Sequence, residues 1–226
     1  MKKIQLLIKS LAGMAFLFCM MGATLFLPAG GFNYPLAWLY LIAFFVPVIM
    51  ITIYTFVYDP SLLQSRLNTA VTEPRLIQKV ITLLSGLCFF GTYIVAGFDK
   101  RHGWSELPNL VSYIALGMVF FAMMFVFKVF RQNKYLSANI EVQEGQKVIS
   151  TGLYGIIRHP MYSGVLVMMF STAPGLGSLW ALLPVAGMSL GIVFRTIDEE
   201  KELKANLEGY AEYCEKVKYR IIPYIF

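Results

Sequence analysis

The sequence predicts an all-α integral membrane protein, a multi-pass helical bundle of about five to six membrane segments whose last two form a hairpin. Three observations carry this. Of 226 residues, 58% are hydrophobic and only 14% are charged, a balance foreign to ordinary soluble domains. The apolar residues gather in long uncharged runs, and the lysines and arginines are distributed one-sidedly between them.

A helix needs about 17 to 25 apolar residues to cross the hydrocarbon layer. Four uncharged runs satisfy this: Ser10 to Gly31, Tyr34 to Tyr58, Val80 to Phe98 and Leu107 to Phe127. Met1-Lys2-Lys3 ahead of the first run also fits the start of a secretory signal, with Ala29-Gly30 near a cleavage-like position. The run is long, however, has no polar region before those small residues, and is followed at once by another span. It is read as the first membrane helix.

A fifth uncharged run, Met161 to Phe194, contains Pro174, Gly175 and Gly177 in its middle, where a helix breaks. It reads as a helical hairpin. Its first arm, Met161 to Ala173, is too short for an upright crossing, so tilted, re-entrant and packed-behind arrangements all remain open.

Orientation follows from Lys and Arg alone. With the N-terminus in the cytosol, all of the 19 Lys and Arg residues except Lys100 and Arg101 fall on the cytosolic side, as the positive-inside rule requires. Four spans plus a hairpin return the C-terminus to that side, and in a bacterium the host would be the inner membrane. The net charge of +6 is accounted for by topology and anionic headgroups, without nucleic acid. Cys19 and Cys88 lie in spans and Cys214 in the tail, a spacing that suits neither disulfide nor metal.

The chain reads as one membrane domain: residues 1–127 are four helices joined by short polar turns, and residues 128–226 are the region where chemistry concentrates. Lys128 to Met161 and Arg195 to Phe226 hold most of the ionisable groups. The hairpin between them leaves and re-enters one membrane face, so Arg158-His159 should meet Arg195 and the acidic cluster Asp198-Glu199-Glu200 there.

The segment Val142 to Tyr154 carries alternation and turn residues and reads as an extended loop, either a cofactor-wrapping strand or a plain connector. In Arg158-His159-Pro160-Met161-Tyr162, proline suits the first turn of the next helix. That turn's N–H groups and positive dipole end favour an anionic group; pairing with lipid phosphate and backbone is the plainer alternative. Arg195 and Glu199 are spaced i, i+4 on one helix face, at the depth where it leaves lipid, which makes them functional candidates. Tyr210-Ala211-Glu212-Tyr213 reads as an interfacial helix whose tyrosines are mostly anchors.

Taken in order, Val142-Gln143, Gly152-Leu153-Tyr154, Arg158-His159-Pro160-Met161-Tyr162-Ser163-Gly164, Arg195, Glu199-Glu200, Tyr210-Ala211-Glu212-Tyr213 and Ile222-Pro223 resemble the isoprenylcysteine carboxyl methyltransferase family, relatives of the phospholipid methyltransferases. The resemblance runs from Asn133 to Pro223, with Leu153 standing where many members have proline. It implies a cytosolic C-terminal site for S-adenosyl-L-methionine, no metal, and a lipophilic or prenylated acceptor drawn from the membrane. It further implies that Gln143, Gln146, Lys147, Val148 and Ile149 line the cofactor, Tyr154 packs on it, and Arg158, His159, Pro160, Met161 and Tyr162 close the pocket. Glu199 and Glu200 would bind the cofactor's polar groups, and Arg195 and Glu199 would be the catalytic pair, Arg195 facing the substrate. A phospholipid amine is an alternative acceptor. The Arg-His-Pro-x-Tyr turn and the ending Tyr219-Arg220-Ile221-Ile222-Pro223 also resemble NADPH-dependent membrane sterol reductases, the competing enzyme class.

Overall fold

The computed structural model describes residues 3–72, 75–136 and 145–226, and among these it is helical throughout, with no strand. Among the described residues four helices are long and apolar enough to cross a membrane: α1 (Lys3–Ala29), α2 (Pro35–Tyr58), α4 (Leu76–His102) and α5 (Asn109–Gln132). They coincide with the four uncharged runs and extend beyond them where polar residues continue the helix past the apolar stretch, as at Arg75-side α4 and the Lys128–Gln132 end of α5. Most of each window faces outward, as expected when lipid is the solvent.

One connection departs from the short polar turns expected between spans. The chain between α2 and α4 forms α3 (Pro60–Thr72). Asp59 starts it: its Oδ1 accepts from the Leu62 amide at 3.1 Å and from the Ser61 hydroxyl at 2.6 Å, an N-cap, with Pro60 following in the first turn.

The hairpin is α6 (Pro160–Gly175) and α7 (Leu182–Asn206), turning at Gly177 with φ of 74°, a conformation that only glycine adopts cheaply. At this end of the bundle the buried Asp99 carboxylate accepts from the Ser178 hydroxyl at 2.5 Å and from the Ser105 amide and hydroxyl at 2.7 and 2.6 Å, tying the turn to the end of α4. A short helix, α8 (Tyr210–Lys216), follows α7 at the opposite, charged end.

In the bundle α5 packs against α6 and α2, while α4 lies between α1 and α7. Glycines permit the closest approaches. A Cβ on Gly97 would lie 2.6 Å from the Leu25 carbonyl oxygen, and one on Gly164 would lie 2.7 Å from Val126 Cγ2. Met21, Leu25, Ala37, Tyr40, Tyr93, Val119, Met169 and Val185 form the shared core. Inside it the Tyr40 and Tyr93 hydroxyls meet at 2.8 Å, and Thr172 donates to Tyr40 at 3.2 Å, so three helices share one satisfied polar chain.

Candidate active site

The first turn of α6 organises the charged end. Arg158 and His159 precede it, both buried, and their amides donate to the Tyr219 and Arg220 carbonyls at 3.0 and 2.8 Å. The C-terminal tail is thereby laid beside the turn, and the Ser163 hydroxyl adds a bond to the Ile221 carbonyl at 2.5 Å.

At the centre of this arrangement is Glu200, 3% exposed. Its Oε1 accepts from Arg158 Nε at 2.6 Å and contacts His159 Nε2 at 3.3 Å; its Oε2 accepts from Arg220 Nε at 2.9 Å and Arg158 Nη2 at 3.2 Å. Burial by itself would raise this carboxyl, but the bonds from His159, Arg158 and Arg220 outweigh it and hold it at about 2. Arg158 Nη1 also donates to the Val217 and Lys218 carbonyls at 2.6 and 3.0 Å.

In front of this cluster is a cavity of about 870 Å³, the open solvent at its mouth included. Its floor is the end of α7. Arg195 Nε donates to the Tyr162 hydroxyl at 3.1 Å, which donates to Glu199 Oε2 at 2.6 Å. Tyr162 therefore bridges the i, i+4 pair read from the sequence, and its ring stacks on His159 with centroids 5.5 Å apart.

The wall opposite is the segment before α6. Gly152, at φ of 62°, opens a 3-10 turn, Gly152–Gly155. The Leu153 amide donates to Gln132 Oε1 at 3.0 Å and Asn133 Nδ2 to the Tyr154 hydroxyl at 2.9 Å, anchoring the turn to the end of α5. Burial raises the Tyr154 phenol to about 12, so it stays protonated.

Of the residues singled out from the sequence, Gln146, Lys147, Val148, Ile149, Tyr154, Arg158, His159, Met161, Tyr162, Arg195 and Glu199 line this cavity. Gln143 lies outside the described residues. Pro160 and Glu200 are not among the residues that line it. Pro160 is built into the start of α6, and Glu200 lies behind the cavity, where its carboxylate neutralises the arginines that pin the tail.

Four further side chains belong to the site. The sequence reads the tyrosines of α8 mostly as membrane anchors; in the structure Tyr210 and Tyr213 are buried and line the cavity. Tyr213 donates to the Tyr154 carbonyl at 2.6 Å. The Tyr210 hydroxyl is buried and has no hydrogen-bond partner among the described residues, a costly arrangement for a group with nothing to bind. On α4, Gln78 and Thr82 reach Arg195 Nη1, each at 3.3 Å. Their i, i+4 spacing at the start of an apolar helix was the available signal.

This geometry can hold a molecule of mixed character: a backbone-rich wall on one side, the Glu199 carboxylate and Arg195 guanidinium together on the floor, and aromatic faces between them. Residues 110–208, which include α5, the hairpin and most of the cavity, match the family model of phospholipid methyltransferases. A 90-residue stretch is 34% identical to the Delta(14)-sterol reductase of Mus musculus, covering 38% of this chain and 22% of that protein. It is 31% identical over 90 residues to the Delta(14)-sterol reductase of Schizosaccharomyces pombe, covering 38% of this chain and 21% of the relative. The likeness thus spans about a fifth of either reductase.

Proposed function

We propose that the protein is an S-adenosyl-L-methionine-dependent methyltransferase acting on a lipophilic acceptor at the cytosolic membrane face, with its N- and C-termini in the cytosol. The observation that carries this reading is the joint presence in one cavity of the Tyr162–Glu199 pair, inside the segment that matches a methyltransferase family model, and of the buried Tyr210 hydroxyl just beyond it, which has no partner among the described residues.

The residues fit the cofactor. Tyr210 offers a buried hydroxyl to a polar group, Glu199 offers a carboxylate to hydroxyl or amino groups, and Tyr154, Tyr213 and the His159–Tyr162 stack offer π faces suited to a cation. S-adenosyl-L-methionine supplies a methyl group already activated on a positively charged sulfur. The protein's task is then to align donor and acceptor and keep water out. Arg195 orients the acceptor, because a guanidinium grips a carboxylate in a fixed fork; this favours carboxyl O-methylation of an isoprenylcysteine-like acceptor. A phospholipid amine whose phosphate Arg195 holds is the alternative within the same reading. Acceptors enter from the cytosolic leaflet between helices, and the cofactor enters from the cytosol.

The likeness to sterol reductases supports a second reading, NADPH-dependent reduction. Against it, Glu199 faces the cavity, and the nearby Arg158 is engaged by Glu200 and two carbonyls, which leaves it poorly available to a 2′-phosphate. The two readings part on equilibrium binding to the purified protein. S-adenosylhomocysteine should bind, and Glu199→Ala should weaken it by about tenfold or more, the loss of a charged hydrogen-bond partner. Binding of NADPH in its place would overturn the methyltransferase reading.

A further inference from the structure

Residues 220–226 close into a small loop. The Phe226 backbone oxygen accepts from the Arg220, Ile221 and Ile222 amides at 2.9, 2.8 and 3.0 Å, and the Ile222 carbonyl accepts from the Ile225 and Phe226 amides at 3.2 and 3.0 Å. The Arg220 guanidinium lies over the Phe226 ring, 4.9 Å from its centroid. At the tip Tyr224 has a φ of 67°, the one positive value at a non-glycine among the described residues. A left-handed tyrosine persists only where its surroundings over-determine it, and the bonds on either side of Tyr224 do so.

The base of the loop stands where the apolar part of the bundle begins. The Tyr219 and Arg220 carbonyls accept from the Arg158 and His159 amides, just ahead of the uncharged run that starts at Met161. One residue further in, Ile221 is buried with Tyr162 of α6 and Ile192 of α7, and Phe226 packs on the same cluster. The two helices expose Val167, Phe170, Leu190 and Phe194 to the outside. Between Ile221 and Phe226 there is no charge, yet Tyr224 is 87% and Ile225 79% exposed, and Ile222 and Pro223 are exposed beside them. An apolar tip that is fixed in shape and turned away from the protein marks a surface with a partner outside it. Tyrosine beside isoleucine suits the boundary between headgroups and acyl chains. Lys216 and Lys218, exposed just ahead of the loop, suit the phosphate layer above it.

We infer that the tip of this loop, residues 222–225, is a membrane anchor that dips into the leaflet on the charged side of the bundle. The anchoring that the sequence pattern gives to the tyrosines of α8 falls to Tyr224, because Tyr210 and Tyr213 are buried in the cavity wall. The anchor is joined to the site through the Arg158 and His159 amides and through the Arg220 bond to Glu200. It thereby holds the cavity mouth at the leaflet surface, whichever reaction the site performs.

The test uses the full chain in vesicles of phosphatidylcholine and phosphatidylglycerol. The photoreactive residue p-benzoylphenylalanine replaces Tyr224, Ile225 or, as a control on the exposed link between α7 and α8, Glu208. After irradiation, mass spectrometry should find phospholipid adducts at positions 224 and 225 and few at 208. Position 225, where φ is not positive, serves where the change at 224 does not fold. Crosslinking to a second copy of the chain would make the loop a subunit contact and overturn the inference. Absence of lipid adducts at both tip positions, the result for a loop in water, would overturn it as well. Anchoring is read separately from contact: Ile225→Glu puts a charge on a side chain that the protein leaves exposed, so it should speed trypsin cleavage after Lys218 and Arg220 in the vesicles. An unaltered cleavage rate would overturn the anchoring role.

Discussion

Replacing Glu200 with glutamine keeps the shape of the side chain and removes its charge from a site where it contacts Arg158, His159 and Arg220. The magnitude can be worked from its proton affinity. The carboxyl is held at about 2 against an ordinary 4.5, and each factor of ten is about 1.36 kcal/mol, so ionised Glu200 contributes about 3 kcal/mol to folding. That agrees with the about 3–5 kcal/mol lost when one partner is removed from a buried ion pair. For a chain of this length, about 2–4 °C of Tm per kcal/mol gives a fall of about 6–12 °C for Glu200→Gln. The sign of the pH dependence is also determined. Because the folded-state value is depressed, the contribution is complete above the ordinary value of 4.5 and is lost as pH falls toward about 2. The assay is thermal unfolding in detergent at a series of pH values, with limited proteolysis of the tail. The unsubstituted protein should lose its advantage over the variant across that window, and the variant's tail should be cut sooner. A Tm within about 2 °C of the unsubstituted protein at neutral pH would refute the claim that this cluster holds the tail to α7.

Tyr210→Phe removes a buried hydroxyl that has no partner among the described residues, so the protein without ligand should be as stable as before or more so. S-adenosylhomocysteine should bind about tenfold more weakly; unaltered affinity by calorimetry would remove Tyr210 from the cofactor site. Gly97→Ala would place a Cβ 2.6 Å from the Leu25 carbonyl oxygen and 2.9 Å from Pro28 Cβ, forcing α1 away from α4 at a cost of about 1–3 kcal/mol. The same change at Gly86, where a Cβ meets nothing within 4 Å, should leave Tm unaltered, and equal effects at both positions would argue against close packing of these helices.

What the sequence determined by itself was whatever depends on neighbours along the chain. Lipid tolerates no charge and no unpaired backbone, so four uncharged runs became four helices, and Pro174 with Gly177 broke the fifth into a hairpin. The clustering of Arg158-His159 with Arg195 and the acidic residues was legible for the same reason, since a hairpin returns to the face it left. The start of α3 is written locally too, in Asp59-Pro60-Ser61. The rest was decided in three dimensions. Glu200 and Arg158 are 42 positions apart, and Gln78 and Arg195 are 117 apart. No periodicity or spacing rule reaches across such distances. Whether Glu200 faces the cavity or the tail, and whether Tyr210 is an anchor or a cavity wall, depends on how α7 and α8 rotate against the first turn of α6. Packing sets that rotation, because a buried charge or hydroxyl is stable only where other elements bring it a partner.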